Sequence, residues 1–135
     1  MNILRNLLYE FQYFKYVRHM PFYLVRHFGK KSHYKTKNVD YVVSKYGFNK
    51  RYSPIGYAIS CQEHMYESAA KTFQPCPTLK QIRRRVGSKY FNDNEDFDFY
   101  DLMLTSAFKA SSGGESGISA NKEYWEYMSK FDGRY

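Results

Sequence analysis

Apolar residues three or four apart, in runs cut short by glycine or proline, constrain this chain more than any other feature. Leu79, Ile82, Val86 and Tyr90 form one such run, and Val39, Val42, Val43 and Tyr46 another. That spacing gathers side chains on one side of a helix, whereas a half-buried strand needs alternation with period two. No such alternation persists and no segment repeats another. The reading is all-α: a single compact domain of six or seven short helices. At 135 residues, such a domain can bury a core without metal or disulfide staples.

Turn and cap signals set the boundaries. Gly29 and Gly47 read as helix stops, Gly29 in the left-handed conformation. Thr36 reads as the cap of the Val39 run. Ser53-Pro54 opens a short apolar turn through Ile59. Ser60 with Glu63 has the form of a capping box, starting a helix to about Lys71. Pro75-Cys76-Pro77 is a rigid connector, after which Thr78 caps the next helix. Asn92 to Glu95 reads as a turn. Phe97 to Phe108 reads as a helix whose first turn is rich in acids, which favour a helix N-terminus. Residues 1–108 then form a helical core domain. Residues 109–119, containing ASSGGESG, are a Gly/Ser-rich linker. Residues 120–135 are a C-terminal helix that packs on the core or docks to a partner.

The opening stretch, LRNLLYEFQYFKYVRHMPFYLVRHFGKK, mixes aromatics and cations around a single acid, Glu10. On a wheel of about 100° per residue, Ile3, Leu4, Leu7, Leu8, Phe11 and Phe14 share one face. Tyr9, Tyr13 and Tyr16 share the opposite one. Arg18 falls in the middle of the apolar stripe, and Pro21 lacks the N–H that a helix interior needs. The sequence therefore predicts a helix from about Asn2 to Val17, a break, and a second helix from Pro21 to Phe28. Three uses stand open. The stretch is a core helix, a helix lying in a membrane interface, or a nucleic-acid surface where aromatics stack bases and cations hold phosphates. The crowded apolar face argues for the first, with Phe11 and Phe14 buried against the domain.

Charge is uneven. Residues 1–51 carry a net +9, residues 52–91 +4 and residues 92–135 −5. A basic front and an acidic tail suit contact with a polyanion, or solubility alone. The basic helix LKQIRRRVGSKY turns Ile82 and Val86 inward. It spreads Lys80, Arg84, Arg85 and Lys89 over the rest, as a candidate anion or phosphate site. Three consecutive arginines span roughly 200° of a helix, so they cannot all meet one groove; a solvated face is the simpler account. In the C-terminal helix, Tyr124, Met128 and Phe131 lie at i, i+4 and i+7 with Trp125 beside them. That is the pattern of a helix docking in a groove.

Catalytic and metal templates fail. Gly113-Gly114-Glu115-Ser116-Gly117 has Glu where a nucleophile elbow needs Ser. Cys61, His64 and Cys76 fall short of the two close ligand pairs of a structural zinc site. No cofactor is implied. No apolar run reaches the ~18 to 20 residues of a membrane span. The N-terminus, broken by Glu10 and Lys15, does not read as a signal peptide. Two cysteines suit a reducing compartment, and the expected location is cytoplasmic.

The segment YKTKNVDYVVSKYGFNKRYSPIGYAISCQEHMYES, with Tyr34, Gly47, Tyr57, Ala58 and Cys61, resembles a family of short bacterial proteins classed as a domain of unknown function. RRRVGSKYFN resembles that family's basic helix ending in Tyr-Phe. The resemblance covers roughly residues 30–95 and implies an uncharacterised bacterial cytoplasmic protein. The resulting expectation is a small non-catalytic binding protein that contacts another protein or an anionic surface. The alternative is a nucleic-acid binder using the basic N-terminal half and residues 80–89.

Overall fold

The computed structural model describes residues 2–104, with side chains from residue 9 onward. Helices α1 (Asn2–Phe28), α2 (Thr36–Tyr46), α3 (Ser53–Ser60), α4 (Glu63–Ala70) and α5 (Leu79–Tyr90) follow in order. Single 3-10 turns lie at Lys50–Tyr52 and Lys71–Phe73. Residues 99–104 are also helical and are α6 here. No strand occurs among the described residues, so the fold is all-α.

The first helix departs from the sequence reading twice. It runs unbroken for 27 residues, with Pro21 inside it. An internal proline forfeits one backbone hydrogen bond. Here the flanking Val17, Met20, Leu24 and Val25 are all buried, and their packing on both sides holds the helix through the defect. The second departure is the choice of face. Tyr13, Tyr16, Val17, Met20 and Leu24 are at most 2 % exposed, whereas Phe11 is 55 % and Phe14 40 % exposed. The expected burial of the two phenylalanines is therefore overturned. The tyrosine side runs on through Val17, Met20 and Leu24 without a charge, while the other side meets Lys15 and Arg18. A phenol is also no obstacle to burial once its hydroxyl is satisfied. The Tyr16 hydroxyl donates to the Asn49 carbonyl at 2.9 Å.

Helix α3 is the centre of the fold. All its residues are buried, and α1, α2, α4 and α5 pack around it. Gly56 permits this crowding: a Cβ there would lie 2.8 Å from Val39 Cγ1 and 3.2 Å from Tyr16 Cε1. The Tyr57 hydroxyl donates to Asp40 Oδ1 at 2.5 Å, tying α3 to α2.

Most local signals hold. Gly47 ends α2 in the left-handed region at φ 71°. Thr78 and Gln81 form the capping box of α5, with bonds of 3.1 and 2.9 Å. Asp98 and Asp101 exchange bonds of 3.0 and 2.9 Å at the start of α6, so the acids serve the helix N-terminus. Two caps shift. Lys35, not Thr36, precedes α2, and its N–H is accepted by Asn38 Oδ1 at 3.0 Å. Ser60 does not cap α4. It is the buried last residue of α3, and Gln62 precedes α4 without a side-chain cap. The helix expected over 97–108 begins two residues late, at Phe99; its part after residue 104, the 109–119 linker and the 120–135 helix lie outside the described residues.

Candidate functional site

Because α1 buries its tyrosines, it turns Phe11 and Phe14 outward together with cations. The guanidinium of Arg18 sits 4.7 Å from the centre of the Phe14 ring and 5.4 Å from that of Tyr90. Arg26 lies 5.9 Å from the half-buried Phe22 ring. His19 meets Phe14 edge-on at 6.2 Å. Burial first, then repulsion by Lys15 and Arg18, lowers the pKa of His19. The outer face of α1 is therefore an apolar strip studded with positive charge.

The four residues of the candidate anion site are on α5, and their charges are mostly met from within. Arg85 and Lys89 both pair with Glu10, Lys89 at 3.3 Å. Arg84 lies 3.6 Å from Glu95. Lys80 is exposed and has no ion pair among the described residues. Such surface pairs are worth under about 1 kcal/mol, so a polyanion can compete with them. Arg83, at the edge of the apolar face, has a structural task. It donates to the carbonyls of Glu95 at 3.0 Å, Ala58 at 3.3 Å, and Phe97. Its guanidinium lies 3.9 Å from the Phe97 ring centre. It thereby holds the 95–97 segment against α3.

Two cavities separate the cysteines. One, of about 430 Å³, is lined by Cys61, His33, Glu63, Arg83 and Asp98 among others. Burial, and secondarily Asp40, pushes the Cys61 thiol up to about 12, the opposite of an activated nucleophile. Cys76 lines the other cavity, of about 570 Å³. No cluster of three His, Cys, Asp or Glu side chains able to hold a metal occurs among the described residues. Likewise, no helix among them is long and apolar enough to cross a membrane. The candidate docking residues Tyr124, Trp125, Met128 and Phe131 lie outside the described residues.

Sequence reasoning missed the central role of Glu10. It is the one acid in the opening stretch, which was legible. Its partners are 75 and 79 residues away, which was not. It also missed the larger cavity, although the stiff Pro75-Cys76-Pro77 connector that walls it was recognisable.

No curated protein and no solved structure matches the chain. The likeness first seen over residues 30–95 widens to take in most of α1 as well as α6. The model of a family of unknown function, DUF6559, matches residues 5–126, and the chain belongs to that family.

Proposed function

We propose that this protein is a non-catalytic binding protein that lies on an anionic lipid surface through the outer face of α1. The observation that carries this is the exposure of Phe11 and Phe14 on a 27-residue helix, amid cations. A helix of that length extends about 40 Å at 1.5 Å per residue and can lie flat along an interface. Its rings would enter the headgroup boundary. Lys15, Arg18 and Arg26 would meet lipid phosphates, each contributing about 1 kcal/mol near an anionic leaflet. The tyrosine side remains with the domain, so binding needs no refolding. A cytoplasmic leaflet, where anionic lipid is found, agrees with the expected location.

Nucleic acid is the less favoured partner. Stacking a base needs an open ring face, and Arg18 already covers one face of Phe14. The test is co-sedimentation with phosphatidylcholine vesicles, with and without phosphatidylserine, over a range of salt. Binding that requires phosphatidylserine and weakens with salt supports the proposal. Absence of binding at low salt refutes it. A mobility shift of duplex DNA, with a log–log salt slope near −0.9 per phosphate contact, would favour the alternative.

A further inference from the structure

The larger cavity, about 570 Å³, lies on the tyrosine side of α1, away from the face just described. Its floor is the buried Ile55, Ile82 and Tyr13. Its walls are aromatic. Tyr9 and Tyr13 stack at 5.2 Å and 28°, and Tyr52 stands edge-on to Tyr9 at 5.8 Å and 87°. Pro54, Pro75 and Pro77, three of the four prolines in the chain, are on its lining. The Tyr66 hydroxyl donates to the Pro77 carbonyl at 2.6 Å and braces that side from behind.

Protein interiors are close-packed, with few voids larger than a water molecule. An open cleft of this size, walled by side chains with little freedom to collapse, falls in the range of small-molecule sites. Tyrosine and proline walls lose little entropy when a ligand arrives. The charge of the cleft is one-sided. Among the described residues that line it, Arg51 is the charged one, and none is an acid. The Arg85 guanidinium, 5.0 and 4.9 Å from the ring centres of Tyr9 and Tyr13, is paired with Glu10, so the charge of the cleft rests on Arg51. Flat aromatic walls select a flat ring. A single guanidinium fork at the mouth selects one carboxylate.

We infer that this cavity binds a small planar aromatic acid, its ring among Tyr9, Tyr13 and Tyr52 and its carboxylate at Arg51. The site is independent of lipid contact.

The probe is indole-3-acetate, with indole-3-acetamide as its uncharged counterpart. Binding is followed on the full chain by saturation-transfer NMR and titration calorimetry. The acid binds saturably, and the amide more weakly by about tenfold, the loss of one charge-assisted hydrogen bond. Arg51 is exposed, so Arg51→Gln leaves the fold intact and brings the acid down to the affinity of the amide. Cys76 marks the position. Methylthiolation of Cys76 abolishes binding, and bound acid slows that modification. Cys61, buried and with its thiol pushed up to about 12, does not compete for the reagent. The inference is overturned if neither probe binds saturably, if acid and amide bind equally, or if modified Cys76 leaves the affinity unchanged.

Discussion

Replacing Phe11 and Phe14 together by alanine should strip the protein from anionic vesicles while leaving it folded. A phenylalanine offers about 200 Å² of surface. At 55 % and 40 % exposure, roughly 110 and 80 Å² remain in contact with water. Complete withdrawal of ~190 Å² at ~25 cal/mol/Å² is worth about 5 kcal/mol. A helix lying at headgroup depth inserts its rings incompletely. About half of that, ~2.5 kcal/mol, is a fair expectation and corresponds to roughly 50- to 100-fold in partitioning. The remaining area, roughly 210 Å², is covered within the fold, so truncation also lowers stability, by something on the order of a few kcal/mol. The ring contacts forfeited include Arg18 over Phe14, worth about 0.5–1 kcal/mol, and His19 edge-on to Phe14. The assay is vesicle co-sedimentation beside thermal unfolding of the same preparations. If the double variant stays folded and partitions like the parent, the rings do not enter lipid and the reasoning fails. If it no longer folds at the temperature of the vesicle assay, the rings belong to the core after all.

Three further outcomes follow from single groups. Gly87→Ala should cost roughly 1–3 kcal/mol of stability in urea unfolding, because its Cβ would fall 2.5 Å from the Asn94 carbonyl oxygen. Arg83→Met should cost about 3 kcal/mol or more by the same measurement, since three carbonyls lose their donor. His19 keeps an exposed surface, yet partial desolvation, then Lys15 and Arg18, lower its pKa, so its folded form leans toward neutral. As pH falls through about 6.5, the unfolded chain takes up the proton more readily and stability drops. His19→Gln should remove that part of the loss in urea midpoints measured at pH 7.5 and 5.5.

Much of the fold was legible because its signals are local. Thr78 with Gln81, Gly47, and the acids around Asp98 act within four residues of the turns they make. A sequence displays such pairs directly. Pro21 and Ser60 misled for one shared reason. Each carries a strong local preference that burial against distant segments overrode. Pro21 stays helical because Val17, Met20, Leu24 and Val25 pack around it. Ser60, only 1 % exposed, completes the central helix instead of capping the next.

The candidate site was harder to read because α1 has two faces that could each serve as core. Leucine and phenylalanine outrank tyrosine on any transfer scale, so a wheel points the wrong side inward. The decision depends on what lies opposite. The Asn49 carbonyl waits for the Tyr16 hydroxyl, and Phe48 offers its ring to Tyr16 at 5.0 Å. Gly56 leaves room for the Tyr16 ring edge. With three such partners the tyrosine face packs as well as an aliphatic one, and Phe11 and Phe14 are left outside. Glu10 adds the last element. By engaging Arg85 and Lys89 it meets part of the charge of α5 at the surface. The positive charge beside the outward rings is then that of α1 itself. A chain that needed only solubility would gain nothing from placing phenylalanine there. One that must settle on an anionic interface gains area and attraction on the same face.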